Sequence, residues 1–232
     1  GEGLGNKFLA NIRETDAIIH VLRCFDDEDI THVDGDVDPI RDAETIETEL
    51  LIADLESLEK QSEGIARKAK GGDKALKTQY EYMLRFKALL DRGQPAREII
   101  PANDDEVGWS KQMGLLTAKP VLYVCNVEEP DVVAGNDWTQ KVSAMAKSKG
   151  AATLSICASI EAEIAQLDSA EEKKEFLETM GLEEAGLDRI IRAGFDLLGL
   201  HTYFTAGPKE ARAWTIKKGM TAPEAAGVST PV

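Results

Sequence analysis

A chain of 232 residues, 43% hydrophobic and 30% charged, is long enough for a proper core plus a smaller module. Its net charge of −15 argues against a generic nucleic-acid-binding surface, which is normally basic. No stretch approaches the roughly 20 apolar residues of a membrane span, and no signal-peptide pattern is present, so the expectation is a soluble cytoplasmic protein without membrane contact.

Apolar spacing predicts a helix over residues 4–13, then a β-rich apolar run over 17–25. An acidic loop follows, from Asp26 through Asp29, Asp34, Asp36 and Asp38 to Pro39. Asp42 is the expected N-cap of a long helix that carries Ile46, Leu50, Leu51, Ala53, Leu55 and Leu58 at three- and four-residue spacings. Gly71-Gly72-Asp73 breaks the pattern, and a second helix runs through Leu76, Tyr80, Met83, Leu84 and Leu90 to close near Gly93 and Pro95. Two long helices with a tight glycine turn make an antiparallel hairpin.

The sheet pattern then resumes, with a strand over 121–127, a helix over 138–149 and a strand over 152–157. Helices over 160–167, 171–180 and 187–198 come next. Strand, helix, strand with short connections is the signature of a parallel sheet wrapped by helices, into which the hairpin is an insertion. Runs 202–207 and 211–216 read as paired strands around the turn Gly207-Pro208-Lys209-Glu210, and Thr221 caps a short helix over 221–226. A hairpin and one short helix cannot bury a core, so this module is truncated or completed by residues beyond it.

Cys24, Cys125 and Cys157 each sit in a separate apolar strand-like run, which suits small buried hydrophobes in a reducing compartment, with no zinc or disulfide spacing. Of the histidines, His20 lies within a strand and is expected to be packed, and His201 is expected at a domain junction. Charge is unevenly spread. Between Lys60 and Arg97 there are ten cations and only four carboxylates on an otherwise acidic chain. That arm reads either as a solvated helical face or as a local contact for RNA through Arg67, Lys68, Lys70 and Lys74.

The motif Asn126-Val127-Glu128-Glu129 directly follows the apolar strand 121–125, where an α/β nucleotide-binding sheet presents its base-recognition residues. GTPases of the P-loop class carry Asn-Lys-x-Asp at such a place, the Asp accepting two hydrogen bonds from guanine. Here Val127 takes the Lys position and Glu129 the Asp position, so guanine specificity is expected to be weakened or lost. No Gly-x-x-x-x-Gly-Lys-Ser/Thr occurs, and Gly71-Gly72-Asp73-Lys74 is a turn without the context of a phosphate loop. Opening on Gly1-Glu2-Gly3, the chain reads as part of a longer protein.

A collinear set of motifs resembles the YchF/Obg-like ATPase family of Obg-related P-loop GTPases. The set comprises Gly1-Glu2-Gly3-Leu4-Gly5-Asn6-Lys7-Phe8-Leu9, Asn11-Ile12-Arg13-Glu14-Thr15-Asp16-Ala17 and Arg23-Cys24-Phe25. It continues with Lys68-Ala69-Lys70-Gly71-Gly72-Asp73-Lys74, Arg192-Ala193-Gly194, Thr202-Tyr203-Phe204-Thr205-Ala206-Gly207, Arg212-Ala213-Trp214-Thr215 and Thr221-Ala222-Pro223. The resemblance implies an α/β fold: a partial P-loop NTPase sheet over 1–40 and 118–199, an inserted helical hairpin over 41–117, and a partial β-grasp-like TGS domain over 200–232. It also implies hydrolysis of ATP in preference to GTP, and association with ribosomal particles.

By the same resemblance Asn126 reaches the purine, the Val127 backbone contacts adenine, Glu128 and Glu129 complete that loop, and Cys157-Ala158-Ser159 forms the second base-side loop. His32, on the loop after Arg23-Cys24-Phe25, inherits the role of orienting or deprotonating the attacking water. The family's phosphate loop, switch I and Asp-x-Ala-Gly switch II fall upstream of Gly1, so the Mg²⁺ and triphosphate ligands are expected outside these residues, and this stretch is expected to be inactive by itself. The family continues after Val228 with an Ile-His-Thr-Asp-Phe-type segment, where this chain has Ser229-Thr230-Pro231-Val232. Two functions stay open: an ATPase of the translation apparatus, and a non-catalytic module that docks on RNA, ribosome or protein under nucleotide control.

Overall fold

The computed structural model describes residues 2–27, 35–208 and 210–229. The chain forms two compact units, residues 1–22 with 38–120 and residues 23–37 with 121–232. His32 and Lys209 lie outside the described residues.

The first unit begins with helix α1 (Glu2–Arg13) and strand β1 (Ile18–Arg23), whose first N–H, of Ile18, donates to the Pro120 carbonyl at 3.0 Å. Helix α2 (Pro39–Ala69) starts one turn earlier than Asp42 suggests. Its cap is Asp38, whose carboxylate accepts from the N–H groups of Ile40 (3.0 Å) and Arg41 (3.2 Å). Pro39 sits at the first helical position, where a missing N–H costs nothing. Asp42 lies in the first turn instead, where its charge complements the helix dipole. At 31 residues α2 is roughly 46 Å long by the helical rise.

Gly72, at φ +90°, supplies the left-handed turn that L side chains resist, and Asp73 then caps helix α3 (Lys74–Leu90). The two helices share one apolar cluster of Leu58, Tyr82, Met83, Phe86 and Leu90, closed by Ala96, Met113 and Leu115. Tyr82 meets Phe86 edge-on at 5.1 Å, and its hydroxyl pairs with Ser110 Oγ at 2.8 Å. The face of α3 thus differs from the simple spacing. Leu84 is exposed, and the aromatic pair is buried. Helix α4 (Asp104–Met113), which the sequence did not announce, lays Trp109 and Met113 against this cluster.

Asp54 is fully buried in the middle of α2. Its carboxylate accepts from the N–H groups of Leu116 and Thr117 (2.7 Å each) and from Thr117 Oγ1 (2.7 Å), and it faces Arg13 Nη1 at 3.4 Å. Thr117 Oγ1 in turn accepts from the Ala96 N–H at 3.0 Å, and Arg13 donates to the Gly114 carbonyl at 2.7 Å. A buried carboxylate is costly unless its lone pairs are filled, and here they are.

In the second unit, strand β2 (Val121–Asn126) is buried through Cys125 and pairs in parallel with β3 (Ala152–Ile156), with Leu122 opposite Ala152 and Asn126 opposite Ile156. Helix α5 (Asp137–Ser148) joins them, and α6 (Ala158–Ile164), α7 (Ala170–Thr179) and α8 (Gly186–Leu197) follow. Parallel strands with helical crossovers give the expected α/β class. Gly186 is required where α8 meets β3, because a Cβ there would stand 2.7 Å from Ile156 Cγ2. Strands β4 (Leu200–Ala206) and β5 (Ala211–Lys217) form an antiparallel hairpin with Tyr203 opposite Trp214, followed by α9 (Ala222–Ser229). Arg212 stacks on Trp214 at 4.0 Å, and Trp214 Nε1 donates to Thr205 Oγ1 at 2.9 Å.

All three cysteines are free and buried. The Cys125 hydrogen bond, with burial, holds the Cys24 thiol far above its ordinary range, as befits a packed rather than reactive group. His20 is half-buried in β1, and His201 is exposed in β4.

Asp54→Ala strands four donors at once. It is expected to lower unfolding stability by about 3–5 kcal/mol in urea titration; a loss under about 1 kcal/mol would show that water satisfies those donors.

Candidate purine-binding loops

Burial fixes where β2 ends. Five consecutive buried residues, Val121 to Cys125, hold the strand in the sheet, and the first half-exposed position is Asn126. Its Oδ1 accepts the N–H of Ala158 at 3.0 Å. That bond joins the ends of two parallel strands and fills a free N–H at the start of α6, whose own N-cap residue, Cys157, makes no side-chain cap. The expected base-side loops, Asn126–Glu129 and Cys157–Ser159, therefore stand side by side at the C-terminal edge of the sheet, where open α/β folds take ligands.

Val127 points inward at 2% exposure, and its N–H donates to the Ile156 carbonyl at 2.9 Å. Glu128 and Glu129 are exposed, and Glu129 opens a 3-10 turn, Glu129–Asp131, with Pro130 in its first turn. Cys157 is buried, with its Sγ 3.0 Å from Ser159 Oγ, while Ala158 and Ser159 are exposed. Of the sequence-derived site residues, the structure brings these seven together, and His32 falls outside the described residues.

The hydrogen-bonding character of this edge is unequal. The backbone donors of Val127 and Ala158 are engaged, whereas the Val127 carbonyl and the N–H groups of Glu128, Glu129 and Ser159 make no hydrogen bond among the described residues. The edge thus offers open acceptors, including two exposed carboxylates, beside free backbone donors.

Supporting side chains did not stand out in the sequence. Glu161 accepts from the N–H groups of Gly186 (2.6 Å) and Leu187 (3.0 Å), and so caps α8 from α6, while Arg189 Nη1 donates to the Ser155 carbonyl at 3.0 Å. Asn136 reaches both Cys24 and Asp131; the visible signal was only the Asn-x-x-Thr capping pattern before α5. Among the described residues no group of three His, Cys, Asp or Glu side chains could hold a metal ion, and no helix is long and apolar enough to cross a membrane.

On α2 and α3 the arm's cations divide into two groups. Lys87 meets Glu59 and Arg85 meets Glu106, near the cluster. Lys68, Lys70, Lys74 and Lys77, around the Gly71-Gly72 turn, have no carboxylate partner among the described residues.

Comparison with known proteins bears on this arrangement. Residues 200–229 match the family model described as YchF-GTPase_C, a protein of unknown function. The chain is 49% identical over 230 residues to the "Ribosome-binding ATPase YchF" of Bacillus subtilis and 50% identical over 228 to that of Haemophilus influenzae. In each case 98% of this chain and 62% of the relative are covered. It is 41% identical over 232 residues to rat "Obg-like ATPase 1", covering 58% of that protein. The solved YchF GTPase of Schizosaccharomyces pombe superposes with a TM-score of 0.85 at 37% identity, over 99% of this chain and 62% of that one. The chain therefore spans a little under two thirds of the length of the curated relatives it matches, and over that span it belongs to the YchF/Obg-like ATPase family.

Proposed function

We propose that this chain carries the purine-selecting and ribosome-contacting parts of a cytoplasmic hydrolase that takes ATP in preference to GTP. The observation that carries the reading is the pair of loops locked by Asn126 and Ala158, with the Val127 carbonyl left open beside them. Adenine offers its exocyclic amino group to the open Val127 carbonyl, whereas guanine would turn its O6 carbonyl, another acceptor, towards it. An unmatched polar contact of that kind costs about 1–3 kcal/mol, or roughly 10- to 100-fold in affinity. Relatives named as ribosome-binding ATPases support the same class.

In this reading residues 1–40 and 118–199 belong to the nucleotide-binding domain, 41–117 to the inserted hairpin and 200–232 to a TGS domain. Mg²⁺ and the phosphates are held by residues outside this chain, and they supply the charge neutralisation that phosphoryl transfer needs. His32 orients the attacking water. The Val127 carbonyl receives the adenine amino group, Asn126 holds the two loops at the right separation, and Glu128 and Glu129 border the base.

The hairpin turn favours a second role alongside the first. Four lysines without carboxylate partners, flanked by Arg67, form a compact cationic tip on an acidic chain, as a ribosomal RNA backbone would require. Nucleotide then gates docking rather than merely being consumed.

Three outcomes are expected in the full-length protein. Calorimetric titration gives ATP an affinity at least about tenfold above GTP, and Val127→Lys with Glu129→Asp narrows that gap; equal affinities for the unaltered protein remove the base-loop argument. His32→Ala lowers turnover with nucleotide affinity nearly unchanged, and unaltered turnover removes its catalytic role. Charge reversal at Arg67, Lys68 and Lys70 weakens co-sedimentation with ribosomes and flattens its salt dependence; binding that survives points to the β4–β5 hairpin instead.

A further inference from the structure

We propose that Asn136 is a positioning residue for purine selection, acting on the loop Glu128–Asp131 through Asp131 and Cys24. The inference rests on the reading of Asn126–Glu129 as the base loop and adds a residue that sets its shape.

Residues 126 and 127 are held by the sheet: Asn126 by Ala158 and by the Cys24 N–H, which donates to the Asn126 carbonyl at 2.8 Å, and Val127 by Ile156. Beyond Val127 the chain leaves the sheet. From Glu128 to Gly135 it is shaped by three turn bonds: Asp131 N–H to the Glu128 carbonyl (3.0 Å), Val132 N–H to the Glu129 carbonyl (3.3 Å) and Gly135 N–H to the Asp131 carbonyl (2.7 Å). Asp131 is the hub of this set. The bond from Asn136 Nδ2 to Asp131 Oδ2, at 2.8 Å, is the one side-chain hydrogen bond that residues 127–135 make among the described residues. The same Nδ2 donates to the Cys24 carbonyl at 2.8 Å.

A closed ring results. Asn126 is tied to Cys24, Cys24 to Asn136, Asn136 to Asp131, Asp131 to Glu128, and Glu128 returns through two peptide bonds to Asn126. Cutting it at Asn136 frees Glu128 and Glu129 while leaving the sheet intact.

The plain alternative is that Asn136 only caps α5. It does cap: Oδ1 accepts the Thr139 N–H at 3.1 Å, and Thr139 Oγ1 accepts the Asn136 N–H at 2.9 Å. Yet capping uses the oxygen alone, and Ser or Asp would do it as well. Neither could supply two N–H donors to Cys24 and Asp131 together. The cap accounts for half of this side chain, and the ring for the other half.

Asn136→Ser separates the two roles, because serine keeps the cap and removes the amide. In the full-length nucleotide-binding protein, Asn136→Ser is expected to lower the melting midpoint by no more than about 5 °C, the loss of two ordinary hydrogen bonds with the cap kept. It should weaken ATP binding roughly 5- to 10-fold and bring the ATP-to-GTP affinity ratio towards one. Asp131→Ala moves both quantities the same way by less, and the double variant is no worse than Asn136→Ser alone, since one ring is broken either way. An unchanged ATP affinity and ratio in Asn136→Ser, or strictly additive effects in the double variant, overturns the proposal. Should the unaltered protein bind ATP and GTP equally, the adenine reading fails; the positioning role then stands or falls on the shared purine affinity, which must still drop and still be non-additive with Asp131→Ala. If Asn136→Ser does not fold, Asp131→Ala alone decides the matter: a normal ATP affinity in that variant rejects the ring.

Discussion

The hydrogen bond from the Ala158 N–H to Asn126 Oδ1 is the constraint on which the ligand-facing edge of the second unit depends. It exists because β2 is buried for five residues and can present a polar side chain only where it leaves the core. Parallel pairing with β3 places Asn126 opposite Ile156, one residue before Cys157. The register thus delivers the first residues of α6 to the Asn126 amide without any loop having to search for it. Slipping the pairing by one residue would turn Asn126 to the other face and leave α6 uncapped. The same bond occupies the Ala158 backbone donor at that edge.

A different logic governs the first unit. A hairpin whose longer helix extends roughly 46 Å can be stiff only if its base is fixed. Apolar packing of Leu58, Tyr82, Met83 and Phe86 holds the two helices together but is tolerant of rotation and sliding. Asp54 supplies direction, since its carboxylate matches three donors at Leu116 and Thr117 at 2.7 Å and admits no neighbouring register. Cations follow the same division. Lys87 and Arg85, near the cluster, find carboxylates, and the four lysines around Gly71-Gly72 do not, which leaves a group of unpaired positive charges at the end of a braced arm.

Much of this was legible in the residues. The five apolar letters before Asn126 read directly as a buried strand, and Gly71-Gly72-Asp73 as a turn with a cap. Asp42 was the wrong cap for α2: Asp38 starts the helix, and Pro39, suited to the first helical position, is the signal for it. Helix α4 escaped notice because only Val107, Trp109 and Met113 are apolar large residues within Asp104–Met113, too few for a clear period. Asp54 lay open to discovery, since Leu50, Asp54 and Leu58 repeat every four residues on one buried stripe of α2. An acid in such a stripe must have partners, but which ones is a matter of tertiary structure, 62 residues away at Leu116. Asn136 is similar, for its cap is local and readable, whereas its bond to Cys24 spans 112 residues.

These distances explain why the supporting side chains are harder to read than the base loop itself. A residue that touches a ligand is often announced by its motif, because the chemistry restricts its type. A residue that holds another in place is restricted by geometry, and geometry is shared among segments far apart in sequence. Glu161 could be an ordinary surface acid by its letters, yet it caps α8 at Gly186, where no Cβ fits against Ile156. Each such contact contributes only about 1 kcal/mol by itself. Together they decide where the loop edges stand, and any binding site built on such edges needs them held to a fraction of an ångström.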